Sequence, residues 1–294
     1  MKVALTALSD EAFKVSRSQL EESVNLTNKN ILVHSHDFHE IESTSFYREN
    51  HHIFKDKKGL GYWLWKPYII YQELLNLDDG DVLIYSDSEI KVMDSLEPLV
   101  KLTEKQPVVV FGNGNLLNSA WAKRDCFILM DCDAPDYWYS AHCDAAFIVF
   151  KKCRLTMEFV EKWLTYCKNE NILTDLPNIC GKENLSDFMD HRWDQSVLSL
   201  LAQRYKLNIF RAPTQFGNFY KTHEFRVPGE YKCISQAIQS SLDHYAAIPY
   251  YNSPYFQLLD HHRSVKKNMV NAAKRSRILS KIDGLKTRLK KLLK

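Results

Sequence analysis

Two carboxylates stand directly after an apolar stretch of the chain and could share one cation. Residues 82–85, Val-Leu-Ile-Tyr, have the composition of a buried strand, and Asp87 and Glu89 follow within four residues. In an open α/β sheet, ligands bind beyond the carboxyl ends of the strands. Hard divalent cations prefer oxygen ligands and can carry a diphosphate. The pattern indicates a candidate site for a cation-bound phosphate ligand, and a strand that ends in a polar turn is the alternative.

A basic residue and two tryptophans precede this strand. Lys66 stands at the start of a predicted helix that leads into the strand, so its ammonium can reach an anionic ligand at the strand end. Trp63 and Trp65 could form a platform for the face of a sugar or a base. The alternative is that both indoles belong to the core and that Lys66 is an exposed residue at a helix start.

The elements that must position these residues alternate between strand and helix along the chain, which is typical of a parallel sheet. Apolar, β-branched runs predict strands at residues 2–8, 31–34, 81–85, 107–111, 145–150 and 208–211. The run at 107–111 is expected to end at the Gly-Asn-Gly-Asn segment that follows it. Helical periodicity predicts helices from an N-cap at Ser9 or Asp10 to about residue 25 and at residues 68–77, 155–167 and 196–205.

Length and composition fit one large α/β domain over residues 1–264. The 294 residues are 45% apolar and 12% aromatic, which is typical of a globular protein with aromatic-lined clefts. No apolar run of about 18 residues is present to span a membrane, and the first residues turn polar too early for a signal peptide. The seven cysteines include no Cys-x-x-Cys pair, which favours reduced thiols and a cytoplasmic location.

The C-terminal residues 265–294 form a second, basic unit. They hold eleven Lys or Arg and one acid, which leaves residues 1–264 with 28 basic and 35 acidic residues and a net charge of −7. Apolar residues with alternating spacings of four and three predict an amphipathic helix, at Ile278, Ile282, Leu285, Leu289 and Leu292.

Three roles for this helix stay open. It could lie on the anionic inner face of a membrane, pair with a second helix in a dimer, or pack on its own acidic domain. Nucleic-acid binding is not expected, because the helix lacks interleaved aromatic residues and the acidic domain repels phosphate.

Four blocks in order resemble nucleotide-sugar-dependent glycosyltransferases of the GT-A fold. The first two are Gly-Tyr-Trp-Leu-Trp-Lys-Pro-Tyr at 61–68 and Gly-Asp-Val-Leu-Ile-Tyr-Ser-Asp-Ser-Glu at 80–89. Ala-His-Cys-Asp-Ala-Ala-Phe-Ile-Val-Phe at 141–150 is similar to a segment of glycogenin-like and lipopolysaccharide galactosyltransferase-like enzymes, and His-Arg-Trp-Asp-Gln-Ser-Val-Leu-Ser-Leu at 191–200 is similar to their Asp-Gln segment. The resemblance covers residues 1–265 and implies a Rossmann-like mixed sheet flanked by helices.

The resemblance implies a divalent metal, Mn²⁺ or Mg²⁺, on the donor diphosphate. Asp87 matches the first acid of the Asp-x-Asp motif of these enzymes, and Glu89 takes the place of the second with a side chain that is one methylene longer. The third ligand is expected from the His-His pair at 261–262, with His262 as the candidate and His223 as its competitor.

The remaining roles follow from the same alignment of blocks. Asp144, Asp194 and Gln195 are the catalytic candidates, because they take the places where acceptor and donor sugar meet. A further set of residues is expected to bind the donor: Thr6 near the base, Trp65 and Lys66 beside the sugar and diphosphate, and Arg192 and Arg263 on the anionic groups.

The sequence therefore predicts an enzyme that moves a hexose or pentose from a nucleotide-sugar donor, UDP-linked in the first instance, to a glycan or glycolipid acceptor in polysaccharide, lipopolysaccharide or glycoprotein glycan synthesis. Two alternatives are kept. One is a non-catalytic glycan- or membrane-binding protein on a transferase scaffold. The other is a sugar-phosphate nucleotidyltransferase, which the lack of glycine in the residues after the first strand disfavours.

Overall fold

A computed structural model describes residues 1–215, 217, 230–231, 248–249 and 253–262. Its strands are β1 (Val3–Ser9), β2 (Ile31–Asp37), β3 (Val82–Ser86), β4 (Ile90–Val92), β5 (Val108–Leu117), β6 (Ala141–Lys151), β7 (Ile209–Phe210), β8 (Glu230–Tyr231), β9 (Ile248–Pro249) and β10 (Leu259–His261).

The helices pack on both sides of this framework. They are α1 (Lys14–Thr27), α2 (Phe38–Glu42), α3 (Ser45–Glu49), α4 (His51–Phe54), α5 (Gly59–Tyr62), α6 (Trp65–Leu75), α7 (Glu97–Lys101), α8 (Asn118–Trp121), α9 (Arg124–Leu129), α10 (Pro135–Trp138), α11 (Arg154–Cys167), α12 (Glu170–Leu173) and α13 (Trp193–Arg204), with a 3₁₀ turn at Leu102–Glu104. Within the ranges described, no helix is long and apolar enough to cross a membrane.

The main sheet is mixed, with strand order β2-β1-β3-β6-β5-β7. Strand β1 pairs in parallel with β2 and β3, β5 pairs in parallel with β7, and β6 runs antiparallel to both of its neighbours. The expected α/β class, with a Rossmann-like mixed sheet between helices, is confirmed. Because β6 is antiparallel, its first residues lie at the edge of the sheet where β1, β3 and β5 have their carboxyl ends.

The two faces of the sheet carry separate cores, as the strand alternation requires. Leu83 and Tyr85 of β3 belong to a cluster with residues of α6, α11 and α13, whereas Val82 and Ile84 belong to a cluster with residues of α1. All five residues of β3 are buried. The central strand is therefore fixed from both sides, and the residue that follows it has little freedom in position.

Several element boundaries differ from the prediction, and three of them affect the site or have a clear local cause. Helix α1 begins at Lys14, three or four residues later than an N-cap at Asp10 or Ser9 predicts, because Asp10 instead accepts the backbone N–H of Phe13 in a preceding turn. Strand β5 continues through the Gly-Asn-Gly-Asn segment to Leu117, since pairing with β6 continues there in a shifted register. Helix α13 begins at Trp193, so Asp194 lies in its first turn.

A two-stranded sheet joins two distant parts of the chain. Strand β10 pairs antiparallel with β4, and His261 lies opposite Ile90. Leu259 and Ile90 are buried in the same apolar cluster. This pairing brings residues 259–262 next to the turn that follows β3. The predicted basic helix, and the boundary after residue 264, lie outside the described residues.

A buried carboxylate ties the edge strand β2 to helix α6. Glu73 accepts hydrogen bonds from His34 and His36, both with N–O distances of 2.9 Å, and His36 also contacts Glu40 at 2.8 Å. The hydrogen bond to Glu73 raises the pKa of His36 against the effect of burial. Burial opposes the ionised form of Glu73, but the two histidines outweigh it and lower its pKa.

This pairing predicts a pH-dependent contribution to stability. A histidine whose pKa is raised by folding stabilises the fold below its unfolded pKa and loses that contribution as the pH rises through its folded pKa. We expect His36→Gln to lower the free energy of unfolding by about 1–2 kcal/mol at pH 6 and by less at pH 8.5. His39→Gln, at an exposed histidine paired with Glu42, is the matched control. Equal losses at both pH values, measured by urea denaturation, would contradict the assignment.

Candidate active site

A cavity of about 450 Å³ opens at the edge of the sheet where β1 and β3 have their carboxyl ends. Its walls come from the end of β1, from the segment before α6 and from the turn after β3. They consist of Leu8, Ser9, Asp10, Phe13, Lys57, Gly59, Leu60, Trp63, Trp65, Asp87, Ser88 and Glu89. This is the position at which open α/β sheets bind ligands.

The turn after β3 delivers both predicted carboxylates to this cavity. The backbone N–H of Asp87 donates to the carbonyl of Ala146 at 2.7 Å, and that of Ile90 donates to the carbonyl of Asp87 at 3.2 Å. The Tyr85 hydroxyl donates to Asp87 Oδ1 at 2.5 Å. Asp87 is therefore held by strand, turn and side-chain contacts while a third of its side chain stays exposed, at 33%.

Lys66 lies beneath these carboxylates and does not line the cavity. The residue is only 3% exposed, and its Nζ donates to the carbonyl of Ala145 at 3.1 Å. The same atom lies 3.3 Å from Asp87 Oδ1 and 3.2 Å from Asp194 Oδ2. Burial disfavours the ammonium, but the charges of Asp194 and Asp87 outweigh it and raise the pKa of Lys66.

Asp194 comes to the site from the first turn of α13, where the helix dipole favours a carboxylate. It is 3% exposed, and its backbone carbonyl accepts a hydrogen bond from the Trp163 indole at 2.9 Å. Burial raises the pKa of Asp194 to about 6, although the Lys66 ammonium acts in the opposite direction. This carboxyl group therefore changes its charge close to neutral pH.

Asp144 enters the site because β6 is irregular. The pairing between β5 and β6 shifts between Val109 and Phe111, so that Phe111 lies opposite Asp144. Irregularities of this kind redirect side chains near functional sites. The Asp144 carboxylate accepts the backbone N–H of Ala146 at 2.9 Å, and its other oxygen lies 4.0 Å from His261 Nε2. Burial raises the pKa of Asp144, and His261 partly offsets that effect.

Of the two neighbouring histidines, His261 is the one beside an acidic site residue. His262 donates its backbone N–H to the carbonyl of Glu89 at 2.7 Å. Burial lowers the pKa of its imidazole. In the described part of the chain, no three His, Cys, Asp or Glu side chains are arranged to hold a metal ion. The expectation of Asp87, Glu89 and His262 as a three-ligand metal site therefore has no support from the described geometry.

The wall opposite Asp87 contains strained backbone. The five residues from Gly59 to Trp63 all have φ between 54° and 88°, in the left-handed region. The three residues among them that are not glycine, Leu60, Tyr62 and Trp63, each cost of order 1–3 kcal/mol and persist only where the surroundings fix them. Trp65 Nε1 donates to the carbonyl of Gly59 at 2.9 Å, and the Trp63 ring stacks on Trp193 with 4.9 Å between centroids. The tryptophans thus hold the cavity wall against the start of α13.

The structure brings four of the predicted residues together: Lys66, Asp87, Asp144 and Asp194. Trp65 and Glu89 lie in the cavity wall, as Trp63 does. Gln195 follows Asp194 in α13, and its Nε2 atom is buried without a hydrogen-bond partner among the residues that the structure describes.

Two predicted donor-binding residues lie elsewhere. Thr6 is buried inside β1, opposite Tyr85 of β3, and it is the later residues Leu8, Ser9 and Asp10 that reach the cavity. Arg192 lies over the Trp121 ring at 4.5 Å and 3.8 Å from Asp190, and the cavity wall does not include it. Arg263 and His223 lie outside the described residues.

Sequence reasoning missed two groups around the pair of Asp87 and Lys66: the Tyr85 hydroxyl, which contacts Asp87, and the Ala145 carbonyl, which contacts Lys66. Tyr85 could have been found, since strand alternation places it on the same face as Asp87 two residues later. The Ala145 carbonyl could not, because it depends on the register shift between β5 and β6. Lys57, the one basic residue in the described cavity wall, had no motif to identify it.

The comparisons with known proteins are structural. No family model matches the chain, and no curated protein matches it in sequence. Solved structures that are similar include mouse xyloside xylosyltransferase 1, with 9% identity, a TM-score of 0.45 and coverage of 89% of this chain and 97% of that chain. An active-site mutant of LgtC has 11% identity, a TM-score of 0.45 and coverage of 89% and 88%.

The bifunctional glycosyltransferase WbbM has 12% identity and a TM-score of 0.41, over 68% of this chain and 37% of its own length. The chain thus spans little more than a third of that protein. At TM-scores under 0.5 these likenesses carry no argument for function, which we base on the residues of this chain.

The strained cavity wall predicts that glycine is required at position 59. A Cβ atom there would lie 2.3 Å from Trp63 Cε3, with φ at 54°. We expect Gly59→Ala to lower the free energy of unfolding by more than the cost of about 1–2 kcal/mol for alanine at positive φ alone. Gly181→Ala is the matched control, because Gly181 also has positive φ, at 71°, but has open space around it. Similar losses for both variants in thermal or urea unfolding would show that the contact with Trp63 is unimportant.

Proposed function

We propose that this chain is a metal-assisted glycosyltransferase of the GT-A type, which transfers a sugar from a nucleotide-linked donor to a glycan acceptor. The observation that carries the proposal is the meeting of three aspartates from separate elements, Asp87, Asp144 and Asp194, around Lys66 beside a cavity at the sheet edge. A structural ion pair needs one carboxylate for each ammonium. Three carboxylates around one ammonium, with Asp87 in the cavity wall and two behind it whose pKa values are raised by burial, are typical of a site that handles cationic charge and protons.

We propose one orientation for the donor in the cavity. Its volume of about 450 Å³ is in the range of small-molecule sites. Phe13 offers a ring face to a nucleobase, and Asp10 offers a carboxylate oxygen to an N–H group of its edge, such as the N3–H of a uracil. The sugar and diphosphate then lie toward Asp87 and Glu89. We therefore propose a UDP-linked donor with its base at the end of β1.

Charge balance calls for a cation with the donor. The described wall holds the acids Asp10, Asp87 and Glu89 and the single basic residue Lys57, which cannot neutralise a diphosphate as well. Mg²⁺ at nucleotide sites is commonly bound by one or two carboxylates together with the substrate phosphates, without an all-protein cage. Asp87 and Glu89 fit that donor set, and they would hold the ion. When bound, Mn²⁺ or Mg²⁺ supplies Lewis-acid stabilisation of the charge on the departing diphosphate.

The chain's own carboxylates serve the sugar side of the reaction. Cleavage of the bond between anomeric carbon and phosphate passes through an oxocarbenium-like state, which a nearby carboxylate stabilises. A carboxylate can also accept the proton of the incoming hydroxyl group. Asp194, with a pKa of about 6, is ionised at neutral pH and able to stabilise the cation. Asp144, at the start of β6 beside His261, is our proposal for the residue nearer the acceptor.

The acceptor is proposed to be a glycan or glycolipid of polysaccharide, lipopolysaccharide or glycoprotein glycan synthesis. The buried amide of Gln195, next to Asp194, offers a hydrogen-bond donor to it. The basic residues 265–294 are proposed to contact an anionic membrane surface where such acceptors are held. That role is independent of the catalytic proposal.

Donor hydrolysis tests the proposed activity without knowledge of the acceptor. We expect a panel of nucleotide sugars with Mn²⁺ to contain one donor whose hydrolysis Asp87→Ala lowers by at least about 100-fold. UDP should bind more tightly with Mn²⁺ than without it, as measured by isothermal titration. Asp79→Asn, an exposed acid at the opposite end of β3, is the control and should keep wild-type rates. No hydrolysis of any donor, together with no nucleotide binding, would favour a non-catalytic binding protein.

The buried carboxyl of Asp194 predicts the pH dependence of the rate. Its pKa lies near 6, so the ionised form that stabilises the cation is lost as the pH falls below 6. We expect kcat/KM for donor hydrolysis to fall tenfold per pH unit on the acid side, with a midpoint near pH 6. Asp194→Asn should lower kcat by about 100-fold or more and abolish this midpoint. An unchanged pH profile in Asp194→Asn would remove the residue from the catalytic step.

A further inference from the structure

The contacts of Lys66 assign it a role different from that of a phosphate ligand. We infer that Lys66 is a positioning residue, which acts through Asp87 and Asp194 and does not contact the donor. The inference rests on the proposed function, because it concerns the same site. It differs from the expectation that this lysine reaches the anionic end of the ligand.

The first observation is that oxygen atoms of the protein already enclose the ammonium group. A lysine ammonium has three N–H donors. Three oxygen atoms surround Nζ within 3.3 Å, and they belong to Ala145, Asp87 and Asp194. A donor phosphate could gain a contact with Lys66 only by displacing one of these oxygens. If that oxygen belonged to Asp194, a buried carboxylate would be left without its counter-charge, at a high energetic cost.

The second observation is that Lys66 is separated from the cavity. Lys66 is only 3% exposed and is not part of the cavity wall. Asp87, in contrast, is part of that wall. The Tyr85 ring lies 5.2 Å from Nζ, and the Tyr85 hydroxyl donates to the same Asp87 oxygen that Lys66 contacts. With Oδ1 held from the protein side, Asp87 presents its other oxygen to a ligand.

The third observation is that the three acceptors belong to three different elements. Ala145 lies in β6 beside the register shift, Asp87 follows β3, and Asp194 begins α13, while Lys66 itself comes from the first turn of α6. The ammonium group of lysine has three N–H donors and can contact acceptors that lie in three directions. The guanidinium group of arginine is planar and has a different donor geometry. Lys66 thus fixes the distance between the carboxylate at the diphosphate end and the carboxylate at the sugar end.

A positioning role and a ligand role predict different kinetic effects. Loss of a positioning charge misplaces Asp194 and lowers kcat, with little change in the affinity for nucleotide in the absence of metal. Loss of a phosphate ligand weakens nucleotide binding. Moreover, a residue that acts through Asp194 should have no further effect once Asp194 has been removed.

The test is a double-mutant cycle with Lys66→Met, Asp194→Asn and the double variant. We expect Lys66→Met to lower kcat for donor hydrolysis by at least about 100-fold, while the Kd for UDP measured without Mn²⁺ stays within about threefold of wild type. The double variant should be within about threefold of Asp194→Asn. A tenfold or greater increase in the Kd for UDP, or multiplicative losses of kcat in the double variant, would overturn the inference.

Two further variants keep the test decisive if Lys66→Met does not fold. Lys66→Gln retains part of the hydrogen bonding and should show the same separation of kcat from UDP affinity in a weaker form. Tyr85→Phe removes the other donor to Asp87 Oδ1 and should lower kcat less than Lys66→Met does, again with UDP affinity unchanged.

Melting temperatures separate failure of this inference from failure of the proposed function, since they need no turnover. If Lys66 holds Asp194, the losses in melting temperature of the two single variants should not add in the double variant. Additive losses would overturn the inference even in an active enzyme. Non-additive losses with no nucleotide binding would support the positioning of Asp194 and reject the transferase proposal.

Discussion

The structure of the site depends on one buried ammonium group. Lys66 is enclosed by Asp87, Asp194 and the Ala145 carbonyl, and without the two carboxylates its charge could not be kept in the interior. The reverse also holds, because Asp194 is buried and needs a cation close to it. Each partner comes from a different element. The ion pairs are therefore satisfied only when the central sheet and its helices have packed correctly.

This arrangement makes the antiparallel strand β6 the decisive feature of the sheet. A parallel strand in that position would place its carboxyl end at the cavity edge, where its amino end now lies. The antiparallel direction places Asp144 beside the end of β3. The carbonyl of Ala145, which Lys66 contacts, lies in the part of β6 where the pairing with β5 shifts its register. Neither feature is required for a stable sheet. Both are used by the site, as irregular strand pairing often is near functional residues.

A second constraint acts on the opposite wall of the cavity. The left-handed segment from Gly59 to Trp63 is unfavourable by itself, and stacking of Trp63 on Trp193 holds it against the residue that precedes Asp194. The cavity wall and helix α13 are thus joined through two indole rings. Displacement of one of these elements is expected to displace the other, because closely packed side chains transmit strain.

The sequence by itself determined the parts that depend on local pattern. Strand alternation, apolar runs and helical periodicity identified the strands of the main sheet and its long helices. The position of Asp87 after a buried strand placed it at a ligand-binding edge. The sequence also predicted where Lys66, Asp144 and Asp194 lie relative to the neighbouring helices and strands. Their order along the chain suggested one site before their geometry was known.

Only the tertiary structure decided how these residues are used. The register of β6, the pairing of β10 with β4 and the packing of α6 on the sheet depend on contacts between residues far apart in the chain. Those contacts enclosed Lys66, which local pattern had placed at a ligand, and they buried Thr6 inside β1 and turned Arg192 onto Trp121. Burial and nearby opposite charges set the pKa and the charge state of an ionisable group. Both are properties of the folded surroundings, which a linear pattern does not contain.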